Sequence, residues 1–290
     1  MAELTITEFT DPACPFAWSA EPARRRLQWL FGDQLEWRLR MVGLASTPEQ
    51  YTDSGFTPER LSGALRSLAE RHHMPMDTSL RPRMSATVPA CRAVVAARLN
   101  APELEQGLLR RLRVLHFAGE LLDEQGTLAQ AASDVGIEPG ALSEWMSDPV
   151  TEGALEEDLH LTRHPTPEAI ALKHKLSAWA EGWRYTCPSY EILRISDGAR
   201  VSAPGFQPLE SYEVAIANLL PDAQRRSDPT GVEEVLAWAG EPLATVEVAT
   251  LCQIELEQAR EQLGRVAEEA HLGFDGLWSL PQNNTSTEAR

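Results

Sequence analysis

Two strand-like segments near the N-terminus, separated by one helical segment, constrain the fold of this chain more than any other feature. Leu4 to Phe9 is a short apolar and threonine-rich segment, and Leu35 to Val42 is a second segment of the same kind. The segment between them, Pro15 to Phe31, has the periodicity of a helix. The sequence therefore begins with a strand, a helix and a strand, which indicates an α/β protein.

The middle of the chain changes to helical periodicity and then returns to strands. The helical segments, each bounded by Pro, Gly or Asp, are Val88 to Leu99, Leu104 to Phe117, Thr127 to Val135, Pro139 to Met146 and Pro167 to Trp179. Two strands, Tyr190 to Ile195 and Arg200 to Ala203, and a helix from Leu209 to Leu220 follow. We therefore expect one four-stranded α/β domain, formed by residues 1–50 and 184–221, with an all-helical insertion at 51–183.

The C-terminal part has a pattern of its own. It predicts helices Val232 to Ala239, Thr245 to Cys252 and Leu256 to Ala270, followed by strands His271 to Phe274 and Leu277 to Leu280. The dipeptide Asp275-Gly276 suits the turn of a hairpin between the two strands. Residues 228–281 are therefore predicted to form a winged-helix-like unit, and the polar residues 282–290 a disordered tail.

The charge of the chain argues against nucleic acid and membrane surfaces as partners. The sequence has 43 acidic and 26 basic residues, which gives a formal net charge of −17. Residues 228–281 contain 11 acidic and two basic side chains, so the winged-helix-like unit would repel phosphate groups. A protein partner, or self-association through this unit, is the better expectation. The N-terminus has no basic region followed by an apolar one, so we expect a cytoplasmic protein without a signal peptide.

Cys14 is the strongest candidate for a reactive residue. It follows the first strand and is followed at once by Pro15, a residue that favours the first position of a helix. Cys14 is thus predicted at the N-cap, where backbone N–H groups favour the thiolate and lower the pKa. A buried cysteine that only caps a helix is the alternative. The other cysteines, at 91, 187 and 252, form no CxxC pair, so zinc and local dithiol motifs are lacking in the sequence.

The segment TEFTDPACPFAWSAEPARRRL resembles the active-site strand, loop and helix of DsbA-like proteins of the thioredoxin fold. These include disulfide oxidoreductases, FrnE-like proteins, mycothiol-dependent reductases and 2-hydroxychromene-2-carboxylate isomerases. The resemblance extends over residues 3–220 and implies that Pro188 is a cis-proline. It places Pro15, Phe16, Ala17, Thr186 and Cys91 beside the active site. Redox-active relatives have a second cysteine where this sequence has Ala17, so a mixed disulfide at Cys14 lacks its usual resolving thiol.

Cys187 precedes the implied cis-proline, and in the family this position lies against the nucleophile. The resemblance therefore implies that Cys187 is a second catalytic cysteine that resolves mixed disulfides at Cys14, although packing as a small apolar residue explains it equally well. For Cys91 the resemblance implies a place in a segment that covers the active site, although with Val94 and Val95 it fits an ordinary helical core equally well. No metal is expected, because none of the cysteines has a chelating spacing.

The leading hypothesis is a cytoplasmic thiol-disulfide oxidoreductase or thiol-dependent reductase with Cys14 as nucleophile. Its substrate would be a small thiol or a protein disulfide, and no bound cofactor is expected beyond a low-molecular-weight thiol of the glutathione or mycothiol type. An isomerase or transferase that depends on a thiol cofactor is the first alternative. The second alternative, from another class, is a catalytically silent binding or scaffold protein that uses the groove beside Pro188.

Overall fold

The computed structural model describes residues 2–281, so the predicted disordered tail, 282–290, lies outside the described residues. The strands are β1 Leu4–Thr10, β2 Leu35–Met41, β3 Ser177–Trp179, β4 Gly182–Arg184, β5 Ser189–Arg194, β6 Arg200–Ala203, β7 Leu243–Ala244, β8 Glu268–Leu272 and β9 Asp275–Ser279. The helices are α1 Pro15–Ser19, α2 Glu21–Phe31, α3 Pro48–Asp53, α4 Pro58–His72, α5 Val88–Asn100, α6 Glu105–Phe117, α7 Gln125–Asp134, α8 Pro139–Ser147, α9 Pro149–Arg163, α10 Pro167–Ala171, α11 Leu209–Leu219, α12 Val232–Ala239, α13 Thr245–Cys252 and α14 Leu256–Val266.

The central sheet has the strand order β2-β1-β5-β6, with β1 parallel to β2 and antiparallel to β5. Almost every side chain of β1 is buried, as expected for a strand covered on both faces. The loop after β1 leads into α1, and the loop before β5 carries the Cys187-Pro188 peptide. Because the end of β1 pairs with the start of β5, both loops lie at the same end of these two strands. The mixed sheet with helices on its faces is the thioredoxin-like fold that the sequence predicts.

The predicted helix from Pro15 to Phe31 is divided into α1 and α2 at Ala20. Pro22 accounts for the break, because proline has no N–H with which to continue the helical hydrogen bonds. The break leaves α1 only five residues long. The loop after β1, residues 11–14, carries the predicted nucleophile Cys14 and is called the nucleophile loop. It is therefore joined to a short helix that is separate from α2.

The insertion is not all-helical, because its last predicted helix, Pro167 to Trp179, ends at Ala171. Strand β3 follows and pairs with β4 in a small antiparallel hairpin that begins with Ser177 opposite Arg184. Ser177 and Trp179 are half-buried whereas Ala178 is exposed, which is the alternation of a strand. The hairpin leads directly into the residues that precede β5. Among residues 2–281, no helix has both the length and the apolar character needed to cross a bilayer.

The C-terminal unit consists of α12, α13 and α14 and a sheet with the order β7-β9-β8. Its last helix ends at Val266 and not at Ala270, because the residues after Ala267 pair with β9. The hairpin turn is also two residues earlier than predicted. It lies at Gly273-Phe274, where Leu272 pairs with Asp275 and Gly273 has a φ of 65°. Whether the unit works as a winged helix stays a prediction.

The C-terminal unit packs directly onto the central sheet. One hydrophobic core contains residues of β1, α2, α11, α12 and β9, among them Ile6, Trp29 and Trp278. The connecting segment is held as well, because the indole of Trp29 donates to the carbonyl of Ser227 at 2.9 Å and the Arg226 guanidinium lies 3.5 Å from the centre of the Trp29 ring. The unit therefore shares the core of the main domain.

Several arginines of α2 and α6 lie inside the protein. A buried network of charges joins β1, α2, α6 and α13, and its members are Glu8, Glu21, Arg24, Arg25, Arg110, Arg113 and Glu247. Glu21 is paired with Arg113, and Arg110 donates to both carboxylate oxygens of Glu247 at 2.9 and 2.7 Å. These arginines therefore pair with buried carboxylates instead of forming a basic surface.

Candidate active site

Cys14 occupies the N-cap of α1, with Pro15 in the first turn, as the sequence predicts. Cys14 is only 5% exposed. The backbone N–H groups of Phe16 and Ala17 point toward the sulfur. In the protonated state the Cys14 Sγ donates to the main-chain carbonyl of Cys187 at 3.1 Å.

The surroundings of Cys14 lower its pKa. Burial by itself raises the pKa, but hydrogen bonds from the Cys187 side chain and from the N–H groups of Ala17 and Phe16 to the thiolate outweigh burial. The negative charge of Asp11 acts in the opposite direction and limits the shift. The thiolate is the reactive form of cysteine, so this environment increases the reactive fraction at neutral pH.

Cys187 lies directly against Cys14, and its peptide bond to Pro188 is cis, as the resemblance implied. Both thiols are free in this structure. Burial raises the pKa of Cys187 well above its usual range, and the hydrogen bond to Cys14 acts in the same direction. Cys187 is therefore the protonated member of the pair, and it donates while Cys14 accepts.

Cys91 is brought to the same loop but contacts Asp11. Its Sγ donates to Asp11 Oδ2 at 3.4 Å, and burial raises its pKa well above the usual range. Asp11 also accepts hydrogen bonds at 2.9 Å from the N–H groups of Ala13 and Leu44 and from the Thr87 hydroxyl. Asp11 thus holds the nucleophile loop to the loop after β2 and to the start of α5.

The remaining predicted site residues have different surroundings. Phe16 is 43% exposed and tilts toward Phe206, with 6.2 Å between the ring centres, so it forms part of the surface beside the thiol. Ala17 is buried behind the sulfur. Thr186 instead donates to the carbonyl of Lys175 at 2.9 Å, which ties the cis-proline loop to the insertion. Among the described residues, no hydrogen bond joins the Thr186 side chain to either thiol.

A cavity of about 730 Å³ opens beside the nucleophile loop. Ala13 and Pro15, the two neighbours of Cys14, line it together with Phe16. Residues of α4 and of the segment before it also line the cavity, as do Met84, Arg81 and His116. This volume is typical of small-molecule sites.

The sequence analysis did not identify Asp11, Tyr51, Arg81 or His116. Asp11 had a local signal, because it precedes the cysteine by three residues at the end of a strand. The other three lie in the insertion, Tyr51 in α3, Arg81 between α4 and α5, and His116 in α6, and only tertiary packing brings them to one cavity. No set of three or more His, Cys, Asp or Glu side chains in residues 2–281 is arranged to hold a metal ion.

Among curated proteins, the chain is similar to the ClpXP adapter protein SpxH of Halalkalibacterium halodurans. The two sequences are 23% identical over 272 residues, which is 91% of this chain and 82% of the relative. The part of this chain left out of the match is smaller than the C-terminal unit, so the match includes some of that unit. SpxH of Bacillus subtilis matches at 21% identity over 91% of this chain and 83% of the relative.

Among solved structures, the chain resembles the cytosolic disulfide reductase DsbM of Pseudomonas aeruginosa. The TM-score is 0.54 at 16% identity, over 75% of this chain and 98% of DsbM. The structure of DsbM with GSH matches with a TM-score of 0.53, also at 16% identity, over 75% of this chain and 99% of that one. At this identity the likeness shows a common fold.

The family match covers more than half of the chain. The model of the DSBA-like thioredoxin domain matches residues 5–164, which include the nucleophile loop and most of the insertion. Outside the matched range, the cis-proline loop and strands β5 and β6 complete the same fold. The chain therefore belongs to the DSBA-like thioredoxin domain family.

Proposed function

We propose that this protein is a thiol-disulfide exchange enzyme whose nucleophile is Cys14. The observation that carries the proposal is the position of the Cys14 sulfur, which lies at the N-cap of α1, 3.1 Å from the main-chain carbonyl of Cys187, and against a second thiol. Of the four cysteines, Cys14 is the one whose pKa is lowered. This environment supports nucleophilic attack on a disulfide or on the adduct of a small thiol.

In the first step the thiolate of Cys14 attacks one sulfur of a disulfide RS–SR. A bond forms between Cys14 Sγ and that sulfur, the S–S bond breaks, and the second RS group leaves as a thiolate that takes up a proton. Ala17 cannot resolve this mixed disulfide. We propose that Cys187 attacks the Cys14 sulfur, so that an intramolecular disulfide forms and the remaining RS group leaves with the Cys187 proton. The disulfide substrate is reduced and the cysteine pair is oxidised.

The proposed substrates are disulfides of a low-molecular-weight thiol of the glutathione or mycothiol type, or a protein disulfide. The fold shared with DsbM, a cytosolic disulfide reductase with a structure in complex with GSH, supports the first of these. A cytoplasmic location is proposed on the same ground. The isomerase or transferase alternative stays a prediction from the sequence.

Turnover of bis(2-hydroxyethyl) disulfide in the presence of glutathione tests the proposal. We expect Cys14→Ser to lose the protein-dependent rate, and Cys187→Ser to retain a first burst while its steady-state rate falls. Cys252→Ser is the matched control, because Cys252 lies in the C-terminal unit, away from the site. Retention of the full rate in Cys14→Ser would rule out Cys14 as the nucleophile.

A protein adapter is a second candidate function, because the match to SpxH, a ClpXP adapter, extends over 91% of this chain. Ala17 also fits a protein that binds without redox turnover. Binding of the purified chain to ClpX, measured by biolayer interferometry, separates the two functions. An adapter would bind ClpX equally well with Cys14→Ser, whereas an enzyme would show Cys14-dependent turnover with or without such binding.

A further inference from the structure

The cavity beside Cys14 contains an unusual distribution of charge. Three arginines, Arg71, Arg81 and Arg184, line it, whereas none of the residues described in its wall is an Asp or Glu. The chain as a whole carries a formal net charge of −17, so a carboxylate-free wall with three arginines is opposite in sign to the rest of the molecule. The remaining wall is largely apolar or aromatic.

Arg81 is the arginine that requires an explanation. It is 6% exposed, and one of its Nη atoms donates to the carbonyl of His116 at 2.5 Å. The other lies 3.0 Å from a ring nitrogen of the same histidine. No carboxylate in residues 2–281 is within ion-pairing distance of Arg81, and its buried Nε has no hydrogen-bond partner there.

Arg81 stays charged at neutral pH despite these surroundings. Burial lowers its pKa to about 10, while the charge of Asp77 opposes the shift. Asp77 itself accepts from the backbone N–H of Ser79 at 2.9 Å and from the Ser79 hydroxyl. His116 is neutral, since burial lowers its pKa well below the usual range, so it does not balance the charge of Arg81. A buried cation without an anion is costly, so the site is incomplete as the chain alone forms it.

We propose that this cavity binds a small organic anion, whose carboxylate pairs with Arg81 and whose apolar body lies against α4. Both Nη atoms of Arg81 contact His116, but Nε has no partner, and a carboxylate is the acceptor that arginine N–H groups bind most strongly. Phe56, Leu61 and Leu68 supply the apolar wall for the remainder of the ligand. The volume of about 730 Å³ suits a molecule of drug or short-peptide size.

The position of the cavity would place this ligand beside the Cys14 thiol. The role of the ligand as a substrate rests on the proposed function. Ala13 and Pro15, which flank Cys14, line the same cavity as Arg81. A disulfide that carries a carboxylate would therefore bind with its acid on Arg81 and its sulfur toward Cys14. The preferred substrates are thus carboxylate-bearing thiols and their disulfides.

Two matched probes without sulfur test the anion site separately from thiol chemistry. We would measure the binding of 3-phenylpropanoate and of 3-phenylpropanamide to the Cys14→Ala protein by isothermal titration calorimetry. The acid should bind at least tenfold more tightly than the amide, and added salt should reduce the difference. Because Cys14 is absent, failure of the proposed redox function would not alter this result.

Arg81→Met should lower the affinity for the acid to that for the amide and leave binding of the amide unchanged. The matched control is Arg66→Met, because Arg66 is exposed and does not line this cavity. Should Arg81→Met fail to fold, the comparison of acid with amide in the protein that retains Arg81 still decides the matter. Equal binding of acid and amide, binding of neither, or retention of the preference in Arg81→Met would overturn the proposal.

Discussion

Cys14 differs from the other three cysteines in the direction in which its surroundings shift its pKa. Burial raises the pKa of Cys91 and Cys187 well above the usual range and that of Cys252 to about 11. Hydrogen bonds to the thiolate reverse this direction at Cys14 alone among the four. We therefore predict that Cys14 is the most reactive of the four cysteines because of the hydrogen-bond donors around its sulfur and not because of its exposure.

The rate of alkylation by iodoacetamide should follow the pKa of Cys14. Its inflection is expected below the value of about 8.5 for a free cysteine, since thiolate forms there at lower pH. At pH 6, peptide mapping by mass spectrometry should find the label first on Cys14. Cys14→Ser, with Cys252→Ser as its control, should remove this early phase. Preferential labelling of Cys91 or Cys252 at pH 6 would contradict the assignment.

Ala17→Cys should convert the site into a local dithiol. Position 17 is buried behind the Cys14 sulfur, and its N–H already points toward that atom. We expect the variant to release small-thiol adducts from Cys14 faster than the unmodified chain, because it has a second resolving thiol in addition to Cys187. Stopped-flow measurement of thiol release would show this, with Ala17→Ser as control. Equal release rates for the Cys and Ser variants would argue against the proposed geometry.

At the residue scale, the sequence predicted the features that depend on neighbouring residues in the chain. The N-cap position of Cys14 is visible because Pro15 follows it, and the cis-proline was implied by family resemblance. The carboxylate of Asp11 and the guanidinium of Arg81 acquire their surroundings from segments more than 30 residues away. Such contacts leave no periodic trace in the sequence, so these residues were missed.

At the scale of elements, the turn between β8 and β9 fixes the C-terminal unit to the insertion. A Cβ atom at Gly273 would lie 2.1 Å from the carbonyl oxygen of Met76, and its φ is 65°. Both the backbone conformation and the close approach thus require glycine. The insertion and the C-terminal unit meet there without room for a side chain.

Gly273→Ala should reduce the free energy of unfolding by at least ~2 kcal/mol, because it adds strain and a clash with backbone. Urea denaturation measures this loss. Gly264→Ala is the control, because Gly264 lies within α14 with no atom near its missing Cβ, and it should be neutral or stabilising by up to ~1 kcal/mol. Equal effects of the two substitutions would show that the hairpin does not dock as described.

The strands of the central sheet were predicted to within about one residue, since short apolar segments bounded by Asp, Pro and Gly have few other interpretations. The segment Pro167 to Trp179 was predicted wrongly. Its apolar residues fit helical spacing, but the hairpin with Gly182–Arg184 requires an interaction that the spacing does not reveal. Local sequence patterns thus predicted whether a segment is a helix or a strand. They failed for β3, whose structure depends on pairing with β4.

At the scale of the whole molecule, the buried charges join the sheet, the insertion and the C-terminal unit. Burial alone raises the pKa of Glu21, but Arg113, Arg24, Arg110 and Arg25 lower it to about 2. The folded-state pKa is thus below the unfolded value near 4.5. The stabilisation is present above pH 4.5 and is lost as the pH falls toward 2.

Glu21→Gln should therefore destabilise the protein at pH 7 by about 3 kcal/mol, because it leaves buried arginines without a partner. The same variant should lose part of the decrease in stability between pH 4.5 and 2. Guanidinium denaturation across this pH range measures both effects. Glu210→Gln, at an exposed position in α11, is expected to change stability by less than ~0.5 kcal/mol. A fully retained acid dependence in Glu21→Gln would exclude Glu21 as its source.

The central claim, that Cys14 is the nucleophile of a thiol-disulfide exchange site, is tested most directly by adduct mapping. The native protein is treated with glutathione disulfide at pH 7, and its peptides are identified by mass spectrometry without reduction. We predict a Cys14–Cys187 cross-linked peptide in the unmodified chain and a stable glutathione adduct on Cys14 in Cys187→Ser. Adducts confined to Cys252, or an unchanged adduct pattern in Cys14→Ser, would contradict the claim.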